Sequence, residues 1–202
     1  MYLYGASGHA KVIKDIIEAT GGRIDGLIDD NPMVANLSGI PVAHSYNGEC
    51  PLIISIGKNE IRKKIAKRLH TTFDKAIHPS AIVSPSAHIG DGSVVMQGSI
   101  IQADARIGSH CIINTGASID HECVVGDYVH ISPHATLCGN VEVGEGTWIG
   151  AGTTIIQGVK IGRWCTIGAG SVVSKNIPDG YLAVGNRCKL IKLTNGKMLE
   201  EL

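Results

Sequence analysis

The chain has 202 residues, 44% of them apolar and 18% charged, with eighteen basic side chains balanced by eighteen acidic ones. An apolar fraction of that size excludes a disordered chain, and the neutral balance lacks the basic excess of a nucleic-acid binder. No apolar run reaches the roughly 18–20 residues of a membrane span, and no basic stretch with a cleavable apolar segment opens the chain; we expect a cytoplasmic protein with no membrane span and no nucleic-acid partner.

In chain order, Met1–Tyr4 reads as a short strand, Gly5–His9 (GASGH) as a small-residue turn, and the next segment as a helix with Val12, Ile13, Ile16 and Ile17 on one face. Ile24–Ile28 is a second strand ending at Asp29-Asp30, broken by Asn31-Pro32. Leu52–Ile56 is a continuous apolar run closed by Gly57, as in a strand buried on both faces. Ile61, Ile65 and Leu69 mark a second helix whose outer face is expected to carry Arg62, Lys63, Lys64, Lys67 and Arg68. This β-α-β…β-α order predicts a small Rossmann-like α/β domain over 1–78, whose ligand would lie beyond the strand C-termini, at Gly5–His9, Asp29-Asp30 and Gly57–Asn59. The acids stand at about the spacing of a ribose-binding carboxylate, but the glycines do not complete a dinucleotide fingerprint. The turn therefore reads equally as structure or as ligand loop.

After His78-Pro79 the pattern changes. Every sixth residue from Val83 to Val173 is aliphatic, sixteen positions without a break. A small or β-branched residue follows four places later (Ala105, Cys111, Ala117, Cys123), and glycine often follows the aliphatic, as at Gly90, Gly108 and Gly126. Period six fits neither a helix nor an alternating strand; it fits a hexapeptide β-solenoid over 79–180, with the aliphatics inward and glycine expected to serve the special angles of each turn. The repeat resembles that of the hexapeptide acyltransferases, whose coils close on three hexads, which implies about five coils here, roughly 24 Å long at about 4.8 Å per strand. The poverty in aromatics, 4%, follows from a narrow prism that Phe would not fit.

Asn176–Gly180 ends the repeat, and a tail, 181–202, is expected to cap the last coil or lie across a neighbouring chain. Residues 107–159 contain no Lys or Arg, whereas 160–202 carry seven, a basic end that would draw a phosphate-bearing ligand. The six cysteines (Cys50, Cys111, Cys123, Cys138, Cys165, Cys188) form no CxxC pair and read as buried reduced thiols.

Solenoid walls need no histidine, so His88, His110, His121, His130 and His134 are candidates for chemistry. The densest stretch is Asp120-His121-Glu122-Cys123. An imidazole beside a carboxylate is a general base, although neighbours in extended chain point apart, so the helper is Asp120, or Glu122 if the backbone turns there. One coil beyond His121 lies Gly139, which would leave an open notch over the ring and a backbone N–H to hold an oxyanion.

The repeat resembles the left-handed parallel β-helix of hexapeptide acyltransferases. With Tyr4–His9, Asp29-Asp30, the Ile56–Arg62 stretch (IGKNEIR) and the His121–Gly126 stretch (HECVVG), the chain as a whole resembles the NeuD-type sugar acetyltransferases, notably those acting on nucleotide-linked 4-amino-4,6-dideoxy sugars. The resemblance implies a cytoplasmic homotrimer with acetyl-CoA as co-substrate, no metal, and a UDP-amino-sugar acceptor. It places the UDP part on Ser7, Gly8, His9, Asp29, Asp30 and Gly57, the base and the residue raising its basicity on His121 and Glu122, and acetyl-CoA contacts on His130, Gly139, Ala151 and Ala169. The tail departs from the family's G-x-P-A, reading Gly185-Asn186-Arg187-Cys188. Rival readings are sialic acid O-acetylation, a non-catalytic nucleotide-sugar-binding partner, and a γ-type carbonic anhydrase with His130 and His134 as zinc ligands.

Overall fold

The computed structural model describes residues 1–46, 48, 51–194 and 197–198. Tyr2–Tyr4 (β1), Gly26–Ile28 (β2), Ile40–Ala43 (β4) and Leu52–Ile54 (β5) run parallel, and Asn36–Leu37 (β3) pairs antiparallel with β4, giving the order β3-β4-β2-β1-β5. The β3–β4 hairpin is an addition to the elements expected from sequence. Helix α1 (Gly8–Ala19) buries Ala10, Ile13, Ile16 and Ile17 against one face of the sheet, and α2 (Asn59–Arg68) buries Ile65 against the other. Because β2 and β5 flank β1 on opposite sides, the strand order reverses at β1, and the crevice beyond its C-terminus is the switch point where such sheets take ligands.

Two positions of α2 differ from the sequence pattern. Arg62, placed by sequence on the outer face, is 1% exposed, and Ile61, placed on the apolar face, is 39% exposed. The helix is rotated because it packs on the solenoid as well as on the sheet, and the surface it meets there is a row of backbone carbonyls, which an arginine can satisfy and an isoleucine cannot.

The solenoid is a three-faced prism in which each strand pairs in parallel with the strand 18 residues away, as in Val83↔Ile101↔Ile119↔Leu137↔Ile155↔Val173. Fifteen of the sixteen aliphatics are buried in one continuous core and Val83 packs against its end. Each such burial is worth about 1.5–3 kcal/mol, so a one-residue slip that turned the row outward would exceed the about 5–15 kcal/mol that holds an ordinary domain folded. The first face carries Ile100–Ile101 and Ser118–Ile119, the second Arg106–Ile107 and Val124–Val125, and the third Val94–Val95, Ile112–Ile113, His130–Ile131, Trp148–Ile149 and Thr166–Ile167.

The glycine that follows the aliphatic is required for a reason other than the one expected. Gly108 has an ordinary φ, but a Cβ there would lie 2.7 Å from the Gly126 carbonyl carbon of the next coil. The left-handed residue stands two places later, as Gly116 (φ 65°), but also as His110 (φ 55°), Glu122 (φ 58°), Tyr128 (φ 59°) and His134 (φ 56°). Buried corner residues answer the turn carbonyls: Ser93 donates to Gly108, Thr147 to Gly162, and the Cys111 and Cys123 thiols to Gly126 and Cys138.

The Rossmann-like unit sits on the third face, where the outward Val94, Met96 and Ile112 join the core of α1 and the sheet. Farther along that face the outward Trp148 is 45% exposed. In the tail, Tyr181–Val184 adds a parallel strand to the third face beyond Thr166–Ile167, and Lys189–Thr194 folds back on it antiparallel. Cys111, Cys123 and Cys165 are buried free thiols as expected; Cys138 and Cys188 are free but half-buried, because they lie at turns, and Cys50 lies outside the described residues. No helix among the described residues is long and apolar enough to cross a membrane.

Candidate active site

His121 and Glu122 form the turn between the first and second faces. The left-handed backbone of Glu122 folds its carboxylate back, so that Oε2 lies 3.2 Å from His121 Nδ1. Asp120 instead accepts the backbone N–H of His121 at 2.7 Å. Of the two acids the sequence leaves open, Glu122 faces the ring. That bond assigns the Nδ1 position to a donor and leaves Nε2 as the free lone pair. Both side chains are open to solvent, 57% and 65% exposed.

Gly139 stacks over this ring. A Cβ there would stand 2.6 Å from both Cε1 and Nε2 of His121, so only glycine leaves the imidazole in place. Among the described residues its N–H donates to no protein group, while the neighbouring Asn140 N–H is taken by the His121 carbonyl at 2.9 Å. The imidazole and a backbone amide with no protein acceptor among the described residues thus lie side by side.

A second cluster forms on the third face. His130 is 9% exposed, stacks on Trp148 (centroids 5.5 Å, 3° between planes) and has its Nε2 3.1 Å from Asn114 Nδ2. Burial, with the charge of Arg62 and then His9 behind it, pushes its pKa down to about 3, against an opposing pull from the Gly57 carbonyl. Among the described residues its buried Nδ1 makes no hydrogen bond. Trp148 donates its indole N–H to Ser132 Oγ at 2.7 Å and leaves the ring 45% exposed. Asn114, His130, Ser132, Trp148, Ala151 and Ala169 line a groove of about 430 Å³. Three of the four expected acetyl-CoA contacts therefore share one surface; Gly139 does not.

The crevice residues adjoin this groove. His9 is close enough to His130 to lower its pKa; burial, then Arg62, pushes His9 itself down to about 4. Ser7 and Gly8 are exposed at the start of α1, with no side-chain cap on its N-terminus, and Gly57 is half-buried. Asp29 accepts the Ala6 N–H at 2.8 Å and the Asn31 N–H at 2.9 Å, which ties the first loop to the end of β2. Asp30 is bound by Arg68 at 2.8 Å and by the Tyr4 hydroxyl, whose pKa rises to about 12, first from burial and then from that bond.

Within one chain, then, Ser7–His9, Gly57 and His130 converge, while His121, Glu122 and Gly139 occupy the corner opposite the third face. His88 and His134 are exposed, and His110 is buried between Phe73 and Tyr128. Among the described residues no three His, Cys, Asp or Glu side chains group closely enough to hold a metal ion. Sequence reasoning missed Trp148, although a tryptophan on an outward strand position of an aromatic-poor chain was a usable signal. It set Asn59 at a strand end and Arg62 on the outer face, whereas both are buried on a helical stripe with Ile65.

Residues 1–69 match the model of the PglD N-terminal domain, and 104–139 and 140–175 match bacterial transferase hexapeptide repeats. The chain is 38% identical to a mutant of perosamine N-acetyltransferase from Caulobacter crescentus solved with CoA and GDP-perosamine, covering 94% of this chain and 95% of that one with a TM-score of 0.90. It is 36% identical to the acetyltransferase domain of PglB from Neisseria gonorrhoeae FA1090 in complex with acetyl coenzyme A, over 94% and 97% of the chains, TM-score 0.87. The UDP-N-acetylbacillosamine N-acetyltransferase of Bacillus subtilis is 44% identical over 107 residues, 46% of this chain and 50% of that protein. The match thus spans half the length of that curated relative.

Proposed function

The chain belongs to the NeuD-type hexapeptide-repeat sugar acetyltransferases, and from that premise we propose that it is an acetyl-CoA-dependent N-acetyltransferase for the 4-amino group of a UDP-linked 4-amino-4,6-dideoxy sugar. The observation that carries this reading is the His121–Glu122 pair under the Gly139 notch.

The acceptor amine is mostly ammonium at neutral pH and must lose a proton to attack a thioester. That first proton goes to solvent; His121 Nε2 takes the second as the nitrogen attacks, and Glu122 stabilises the imidazolium that forms. The amine nitrogen bonds to the acetyl carbonyl carbon, the Gly139 N–H holds the oxyanion, and collapse breaks the C–S bond. The imidazolium then returns the proton to the departing CoA thiolate. No acyl-enzyme forms. Cys123, the thiol next to the base, donates to the Cys138 carbonyl, and burial raises its pKa, which makes it a poor nucleophile.

Because the base and the crevice lie on opposite sides of one prism, we place the complete site between two copies in a C3 homotrimer: one copy supplies His121, Glu122 and Gly139, its neighbour the crevice and the groove. The nucleotide is held by Ser7, Gly8, His9, Asp29, Asp30 and Gly57, and acetyl-CoA by the groove of His130, Ala151 and Ala169 with Gly139 of the facing copy. The test is CoA release with a panel of UDP- and GDP-linked 4-amino sugars and with sialic acid, followed by product mass. An amide product from a UDP-linked sugar is expected. Release only with sialic acid, or with no acceptor at all, would overturn the reading, and preference for a GDP-linked sugar would move the nucleotide assignment.

A further inference from the structure

We propose that Arg62 and Asn59 are positioning residues that lock the Gly57 loop, and with it the nucleotide-sugar crevice, at one height along the prism. This rests on the function proposed above. The carbonyls of His110, Tyr128 and Gly146 recur at coil spacing on the corner between the second and third faces, all turned toward α2. Arg62 donates from Nε to His110 at 2.7 Å and from Nη2 to Tyr128 at 2.9 Å, and Asn59 Nδ2 donates to Gly146 at 3.1 Å and Thr147 at 3.3 Å. From the opposite side, Arg62 Nη1 donates to the carbonyls of Ile56 at 2.9 Å and Gly57 at 3.1 Å, and Nη2 to Asn59 Oδ1 at 2.8 Å. One planar group thereby joins the loop after β5 to two successive coils, and its helix neighbour reaches the third. Lys63 extends the row to the fourth, paired with Glu145 and lying 5.0 Å from the Trp164 ring centroid.

This cation is 1% exposed and, among the described residues, has no carboxylate partner. Burying a charge that way is expensive, and an apolar seam would close two units without that cost. What the guanidinium adds is direction. Its donors diverge at fixed angles, so the loop cannot slide along the axis without losing several bonds together. A slip of one coil would move the crevice by about 4.8 Å, whereas misplacement of about 1 Å is enough to cost roughly 10²-fold in rate.

Arg62→Lys keeps the charge and loses the fork. For this variant of the full chain we expect the KM for the nucleotide sugar to rise about tenfold while that for acetyl-CoA stays within about twofold. Amide hydrogen exchange should quicken at residues 5–9 and 55–59 and stay unchanged in the aliphatic rows of the solenoid. Unchanged exchange and KM, or equal losses for both substrates with exchange rising throughout the solenoid, would overturn the proposal. If Arg62→Lys does not fold, Asn59→Ala, which removes the contacts at Gly146 and Thr147, is measured the same way, with about a threefold KM shift expected. A wild-type protein that transfers acetyl to no sugar would refute the function instead. The exchange pattern, with calorimetric binding of UDP-linked sugar, would still decide the positioning role.

Discussion

If the base and the crevice of one working site come from different copies, two variants that are each inactive should restore activity when mixed. His121→Ala removes the base, a loss of about 10²–10⁴-fold. Gly57→Trp is aimed at the crevice: Gly57 has an ordinary φ and a Cβ there meets nothing within 4 Å, so the backbone accepts a side chain, and the indole is expected to fill the space beyond β5. In a cyclic trimer of randomly mixed copies, a site works when its base comes from the Gly57→Trp copy and its crevice from the His121→Ala copy. Each choice has probability one half, so about a quarter of wild-type activity returns. Co-expression at equal levels, native mass spectrometry to verify mixed assemblies, and CoA release give the measurement. Activity that stays at the level of the single variants in verified mixed trimers would place base and crevice in the same chain and refute the opposite-side argument.

Light scattering at micromolar concentration should return about three times the 21.2 kDa chain mass; a monomer refutes the shared site. Gly139→Ala should lower kcat by about 10–10²-fold with binding of the nucleotide sugar nearly unchanged, because the new methyl displaces the His121 ring and narrows the oxyanion notch; wild-type kcat would count against the notch. Cys123→Ser and Cys138→Ser should stay within about tenfold of wild type, and an acetyl-cysteine trapped in mass spectrometry would replace direct transfer with a covalent route. His9 and His110 are held down to a pKa of about 4 and His130 to about 3, first by burial and then by Arg62, so the unfolded chain binds their protons well before the folded one. Stability should be full above about pH 6.5 and fall as pH drops toward 4, by up to about 1.4 kcal/mol per pH unit for each histidine; a urea midpoint equal at pH 7.5 and 5 would show that these rings are not neutral in the fold.

The solenoid was legible in the sequence because its constraint is local and repeated. Each aliphatic from Ile89 to Val173 must point inward for the same reason as its neighbours six residues away, so one period specifies the core, the coil and the stacking of Gly139 over His121. The first domain was legible in outline through Leu3, Ile13, Ile53 and Ile65, whose runs and spacings need only a sheet and a helix to explain them. Tertiary structure decided what depends on meetings between distant segments. Arg62 reads as a surface charge until the column of carbonyls at His110 and Tyr128 is brought beside it. Asp120 and Glu122 are equal candidates until a left-handed turn aims one of them at the ring. The separation of His121 from His130, nine residues along the chain, follows from the prism: half a coil carries the backbone from one corner to the face across from it. A periodic pattern fixes which way each residue points. It takes the docking of a second unit on one face to fix which of those directions share a site.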